Sequence, residues 1–347
     1  GSLPGGSTFV TSMPSPALAP SMANGRTTLR AMPYSEIGAL LERTGFDLSI
    51  LHAAAPDANG RCSFGIASDA PGIAALRSKR RVAFLNRRMP AVVKAEAIHV
   101  DWIDMGVEID APLLSIETKQ SKSPVLDAIA QHAAGLVPDG ATIQSGIGEA
   151  PGAAIAALTC KRGLCAHSGI VTPEYRLLAD AGALDPAKTH IAGVAWGDAG
   201  FYDWLGQSRL FSFRSILETH AHWELARIPN FTSIGSAIEV DLNGNINLEW
   251  LGDRRISSVG GAPDYVRGAL GSPGGRSIIA LPSTSRGGAS RIVARLEKPS
   301  IPAEQADTVV TEHGVAELRG LSPQQRAERL IAVAAPEHRA GLAAALR

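Results

Sequence analysis

The chain has 347 residues, of which 45% are apolar and 19% charged, the composition of a soluble globular protein with room for two ordinary domains. Its 33 basic and 33 acidic residues cancel to zero net charge with no long run of one sign, which argues against nucleic acid or a membrane surface as partner and for a small molecule or another subunit. Three cysteines, Cys62, Cys160 and Cys165, lack the spacing of a thiolate zinc site or a disulfide framework and point to a reducing compartment. No apolar run approaches the roughly 18 residues of a membrane span, and the opening GSLPGGSTF has neither a basic nor an apolar leader signature, so a cytoplasmic location is expected.

In chain order, FDLSILHAA, RRVAFLN and EAIHVDWID have the short apolar pattern of strands, and VLDAIAQHAAGL that of a helix. DGATIQ then predicts a strand, GIGEAPG a turn and AAIAAL a helix, with further apolar runs in GLCAHS and HIAGVAW. Late in the chain SIIALP and DTVVTE are strand-like, and SPQQRAERLIAVAA starts as a helix should, with Ser322 at the N-cap, Pro323 next and Gln325 at the third position. This alternation predicts a mostly parallel α/β sheet covered by helices. The polar stretch IETKQSKSP, residues 116 to 124, is the best linker and divides the chain into an N-terminal domain, 1–118, and a C-terminal domain, 119–347.

Four clusters carry candidate chemistry. GIGEAPG follows a strand and opens a helix, as a turn admitting an anion to a helix N-terminus must; the carboxylate expected about 20 residues on for a dinucleotide ribose is missing, so a nicotinamide site is disfavoured. VGGAPDYVRGALGSPGG, residues 259 to 275, is a second glycine-rich loop beside a strand, and two such loops favour a cleft lined by backbone donors. His220 and His222 form an H-x-H pair near Glu224, but positions two apart do not face one another on a helix, and no metal site is expected. Glu312 and His313 follow an apolar strand and precede Gly314, where a side chain can be aimed into a cleft. Cys62 is expected to pack as a small hydrophobe.

Taken in order, APDANGRCSFGIASD at 55–69, IQSGIGEAP at 143–151, SAIEVDLNGNIN at 236–247, SVGGAPDYVRGA at 258–269, GGRSIIALPST at 274–284 and VVTEHGVAELRGLSPQQRAERLI at 309–331 resemble the acetyl-CoA hydrolase/transferase family, which includes acetate and 4-hydroxybutyrate CoA-transferases. The resemblance implies two open α/β domains with mostly parallel sheets, the N-terminal one lacking the family's first strand-helix unit, and a site in the cleft between them. It further implies a coenzyme A thioester as substrate, a small carboxylate as acceptor and no metal. In the family a glutamate attacks the thioester and returns CoA through a glutamyl-CoA intermediate. Gly260 and Gly261 match the family's oxyanion donors, and Glu312 to Gly314 the segment lining the same site.

Two departures alter that implication. The family's nucleophilic glutamate aligns with Gly169 in LCAHSGIV, and an assisting asparagine aligns with Gly235 in GSAIEVD. Meanwhile Glu149 stands in the turn where relatives carry a small or apolar residue. It is either a relocated nucleophile or base, or a carboxylate placed favourably at a helix N-terminus, an effect of up to about 1 kcal/mol. Expected site residues are therefore Glu149, Glu312, His313 and His167 for chemistry and Gly146, Gly148, Gly260, Gly261 and Gly314 for the CoA thioester. The candidate functions are a CoA-transferase or acyl-CoA hydrolase of altered mechanism, a CoA-thioester binder without chemistry, and proton abstraction beside a thioester carbonyl with His167, Glu312 or His313 as base. A homo-oligomer, or a hetero-oligomer with a paralogue, is expected from the shortened N-terminal domain.

Overall fold

The computed structural model describes residues 6–116 and 123–346, so residues 117–122 of the expected linker lie outside the described residues. The N-terminal part opens with two short parallel strands, β1 (Phe9–Thr11) and β2 (Thr27–Leu29), joined through α1 (Ala19–Ala23). Then follow α2 (Tyr34–Arg43), β3 (Phe46–Ala54), β4 (Arg61–Ser63), α3 (Pro71–Leu76), β5 (Ser78–Asn86), β6 (Ala97–His99) and β7 (Met105–Ile109). Of the expected strand EAIHVDWID only β6 is extended: the His99 ring accepts the Asp101 amide and a 3-10 turn runs from Val100 to Trp102, and β7 follows after the expected stretch has ended.

Strands β3, β5 and β7 form a parallel sheet in that order. Its inner face, Leu51, Ala53, Ala83 and Leu85, packs on Cys62, Phe64, Ala75 and Ile98, so Cys62 is the packed small hydrophobe its surroundings suggested. On the other face Leu48, Ile50, Phe84, Met105 and Val107 are exposed. Ile50 pairs with Val82 and Val82 with Met105, while Phe84 pairs with Val107, so these side chains form apolar rows across the strands.

After the linker come α4 (Pro124–Gly135), β8 (Thr142–Ser145), α5 (Glu149–Ala156), β9 (Cys165–Val171), α6 (Pro173–Asp180), β10 (His190–Ala195), α7 (Ala199–Gln207) and β11 (Phe211–Phe213). Two short helices, α8 (Ile216–Thr219) and α9 (His222–Leu225), lead to β12 (Phe231–Gly235), β13 (Glu239–Asp241), β14 (Ile246–Asn247), β15 (Trp250–Leu251) and β16 (Arg254–Arg255). The chain ends with α10 (Ala262–Gly271), β17 (Arg276–Ala280), β18 (Ile292–Val293), β19 (Thr308–Thr311), β20 (Gly314–Glu317), α11 (Pro323–Val333) and α12 (Pro336–Ala344).

Eight of these strands make one sheet in the order β11-β10-β9-β8-β12-β17-β19-β20. All neighbours are parallel except the last pair, which is the expected α/β architecture. The chain lays strands outward from β8 to β11, then returns to place β12 on the other side of β8 and proceeds the opposite way. That reversal makes β8/β12 the switch point, where a crevice opens at the carboxyl ends of an open α/β sheet. The core under this sheet includes Ala54, Ile66, Met89, Val92 and Ala95 of the N-terminal part. Backbone bonds cross the same boundary, from Ser68 N to Gly193 O at 3.0 Å and from Ile216 N to Asp69 O at 2.7 Å.

Candidate active site at the sheet switch point

Strands β8 and β12 end side by side. The Gly146 amide donates to Ile234 O at 2.7 Å, and a Cβ on Gly146 would lie 3.4 Å from the Gly235 Cα, so the two turns leave the sheet in close contact. Gly148 follows with φ 140°, and α5 begins at Glu149. The Glu149 side chain is exposed on that first turn and, among the described residues, makes no ion pair or hydrogen bond. It thus sits at a helix N-terminus in solvent.

The second glycine loop meets this corner from the neighbouring side. Gly260 adopts φ 56°, a conformation that favours glycine over residues with a Cβ. Its carbonyl accepts the Tyr34 amide at 3.1 Å, and the Gly261 carbonyl accepts the amides of Asp264 and Tyr265. The Gly260 and Gly261 amides themselves donate to no protein acceptor among the described residues, which leaves two backbone donors available to an oxyanion.

Gly169 lies in β9, and its surroundings are full. A Cβ there would meet His220 Cε1 at 2.5 Å, His220 Nε2 at 2.7 Å and the Tyr265 hydroxyl at 2.8 Å, and a Cβ on Gly261 would collide with the same imidazole. His220 is therefore wedged between two glycines, 4% exposed. The Tyr34 ring stacks on it at 5.0 Å between centroids, and Tyr265 lies tilted at 4.8 Å. Tyr34 opens α2, and that helix is held by Ser35, whose amide and hydroxyl donate to the buried Asp264 carboxylate at 3.0 and 2.5 Å.

Burial sets the electrostatics of this cluster. It lowers His220 to about 3, with His167 nearby adding in the same direction, and His167 itself to about 4. Both rings are neutral at neutral pH. Burial likewise raises Asp264, Asp69 and the hydroxyl of Tyr34. His167 Nε2 and the Tyr265 hydroxyl are buried with no hydrogen-bond partner among the described residues. The Tyr265 hydroxyl stands 2.8 Å from where a Gly169 Cβ would be and faces the Gly169 backbone without a well-formed bond, so a polar atom borders that position.

Glu312 and His313 form the two-residue hairpin loop between β19 and antiparallel β20. The Glu312 carboxylate accepts the amide and hydroxyl of Ser283 at 2.9 and 2.6 Å, and His313 Nε2 stands 3.7 Å from it. Glu312 thereby ties the loop after β17 to the end of β19. Of the expected site residues, His167 and Gly261 share the Gly169 cluster, with Gly260 beside it through Tyr34; Gly146 and Gly148 line the adjacent corner. His220, Tyr265 and Tyr34 were not among the expected site residues, because they enter from three distant segments. His220 stood out in the sequence only as half of an H-x-H pair read for metal, and Tyr265 only within the glycine-rich segment; that Gly169 and Gly261 make room for the His220 ring was not legible there. Among the described residues no group of three or more His, Cys, Asp or Glu could hold a metal ion.

Known proteins agree with this architecture. The profile of the acetyl-CoA hydrolase/transferase C-terminal domain matches residues 197–346. The chain is 33% identical over 331 residues to the 4-hydroxybutyrate coenzyme A transferase of Clostridium kluyveri, a match covering 92% of this chain and 77% of that protein. With the butyryl-CoA:acetate CoA-transferase of Anaerostipes caccae it shares 32% identity over 313 residues, covering 84% and 70%. The crystal structure of RipA from Yersinia pestis superposes with a TM-score of 0.88 at 30% identity, over 94% of this chain and 77% of that one. With the chain similar to these proteins over most of its length, and carrying the glycine loops at the switch point of the shared sheet, it belongs to the acetyl-CoA hydrolase/transferase family.

Proposed function

We propose that the chain acts on short acyl-CoA thioesters in this crevice, hydrolysing the thioester or passing CoA to a small carboxylate, without a glutamyl-CoA intermediate at position 169. The observation that carries the reading is the pair of free amides at Gly260 and Gly261, with the His220 ring between Gly261 and Gly169; paired backbone donors of this kind suit a developing oxyanion. Gly146 and Gly148 keep the neighbouring corner open to the CoA thioester, and Gly314 with the Ser283-bound Glu312 braces the far side. His167 and His313 add neutral or surface imidazoles to the same end of the sheet.

Hydrolysis is favoured because the atoms nearest a Gly169 Cβ belong to His220 and Tyr265 rather than to a carboxylate. Transfer through Glu149 is the second arm, supported by that side chain being exposed and unbonded on the first turn of α5. A displaced nucleophile loses much of its effective molarity, which weighs against it. An oligomer of the chain with itself or with a related chain belongs to the same proposal, supported by the bare face of the β3-β5-β7 sheet.

The test is a panel of short acyl-CoAs with and without acetate, following free CoA and mapping adducts by mass spectrometry. We expect free CoA without added acetate, no adduct on Glu149, and turnover in Glu149→Gln within about threefold of the parent. A Glu149 adduct together with loss of turnover in that variant would establish the transferase arm instead. Tight CoA binding with neither free thiol nor adduct would make the chain a binding protein, and deuterium exchange into the acyl group without CoA release would make it a proton-abstracting enzyme.

A further inference from the structure

We infer that His220 is a catalytic residue of this chain, its Nε2 serving as the general base that activates water against a thioester held by the Gly260 and Gly261 amides. The inference rests on the acyl-CoA reading of the crevice and adds to it the group that does the chemistry. Four observations support it. The Nε2 edge of the ring lies against both Gly169 and Gly261, the first being the strand position whose side chain is missing and the second carrying a free amide.

The inference assigns the tautomer, with the Thr219 hydroxyl proton on Ser215 O. Thr219 has one hydroxyl proton and donates it to Ser215 O at 3.1 Å, so its oxygen, 2.9 Å from His220 Nδ1, accepts the proton on Nδ1. Nε2 is then the nitrogen with the lone pair, and it faces the glycines. Thr219 is fully buried and packs beside the ring, which fixes the imidazole as a third group fixes the base of a hydrolytic triad.

The unpartnered Tyr265 hydroxyl and His167 Nε2 are the third observation. Both are buried polar atoms near His220, the Tyr265 ring tilted against the imidazole and His167 acting on its charge, and a bound water or a thioester oxygen would give them a well-formed bond. Finally, the Tyr34 ring stacks on the imidazole, and its main-chain link to the loop is its amide bond to Gly260 O. Lifting the first turn of α2 opens the pocket and rehydrates the imidazole, which relieves the burial that suppresses its basicity.

The step balances without a further reactant. Water oxygen adds to the thioester carbonyl carbon while Nε2 takes one of its protons, and the oxyanion is held by the two amides. Collapse of the tetrahedral species breaks the carbon–sulfur bond, and the imidazolium returns its proton to the departing thiolate. The products are a carboxylic acid and free CoA. Groups facing the ring that shape its titration are Tyr34 from α2, His167 from β9, Tyr265 from α10 and Thr219 on its own helix, with Asp69 acting on Tyr34.

The experiment uses the full chain with acetyl-CoA and butyryl-CoA as probes, measuring binding calorimetrically, free thiol release, the pH profile and incorporation of heavy-oxygen water. For the parent we expect binding, thiol release with an acid limb, and one solvent oxygen in the product acid. For His220→Gln we expect binding within about threefold and thiol release lower by at least about 100-fold, with the acid limb gone. Should that variant fail to fold, Thr219→Val keeps the side-chain volume and removes the Nδ1 acceptor together with the hydroxyl's bond to Ser215 O, whose carbonyl still accepts the Glu218 and Thr219 amides; it is expected to slow release about tenfold and to shift the acid limb. Thr219 is a positioning residue, and a slower rate with an unshifted limb would overturn its role and that of the tautomer. Undiminished release in His220→Gln, or in a folded Thr219→Val when the first variant is lost, would overturn the inference while leaving the acyl-CoA reading intact. Failure of the parent to bind either thioester would overturn both.

Discussion

Gly169 and Gly235 look alike in the sequence, each a glycine where the family resemblance sets a functional side chain, but they differ in what surrounds them. A Cβ at Gly235 meets only Ile279 Cδ1, at 3.5 Å, so Gly235→Asn should fold with stability within about 1 kcal/mol of the parent. At Gly169 the same addition strikes the buried His220 ring and the Tyr265 hydroxyl. Gly169→Glu must displace one of them, and overpacking of this kind costs about 1–3 kcal/mol. Urea unfolding of the two variants checks the contrast; equal losses would mean that His220 yields freely. Simple restoration of the glutamate is thus not expected to restore transfer. The two glycines were legible as departures from a pattern, but the reason for one of them was not, since the ring that fills the space comes from a different segment.

At the scale of elements, the strongest local signals were reproduced by the structure. Ser322 and Gln325 form the expected capping box at the start of α11, and FDLSILHAA is β3 residue for residue. These are set by side chains within one turn or by period-two burial, which sequence carries directly. The short strands β13 to β16 and the antiparallel β20 were not foreseen, because two- to four-residue strands are fixed by tertiary partners rather than by their own pattern. The contact of α2 with the VGG loop was equally hidden. Its anchor is Ser35 on Asp264, two residues separated by most of the chain. Ser35→Ala removes one donor to a buried carboxylate, a loss of about 1–3 kcal/mol. Hydrogen exchange should then quicken through Tyr34–Arg43 while α10 stays protected; uniform quickening would show that α2 is no separate unit. If Tyr34 shields His220 as the geometry indicates, the same variant should lower KM for the thioester.

For the whole molecule, three buried histidines dominate the acid response. Burial lowers His167 and His190 to about 4 and His220 to about 3, against about 6.5 in an unfolded chain. Above that value neither state binds the proton. Below it the unfolded chain takes up protons that the folded one refuses, so stability falls as pH drops from 6.5 toward 4, by up to about 1.4 kcal/mol per pH unit for each histidine. The raised carboxyls of Asp69, Glu96 and Asp264 oppose this, since their folded forms hold protons more tightly, but their shifts are the smaller ones. Urea midpoints should therefore decline steadily between pH 7 and 5, and a flat profile would refute the burial of these rings. The alternation of apolar runs predicted a mostly parallel α/β sheet and nothing of its strand order or switch point; which strand sits beside which is decided by crossovers that no local pattern records.

The uncovered side of the β3-β5-β7 sheet has a consequence for anyone handling the protein. With Leu48, Ile50, Met105 and Val107 open on one flank and a zero formal charge overall, the isolated chain is wetted unevenly and has little electrostatic repulsion between copies to keep them apart. It should collect at air–water and plastic surfaces when dilute, as a weak surfactant does, and be retained on a mildly hydrophobic column in salt too low to bind an ordinary globular protein.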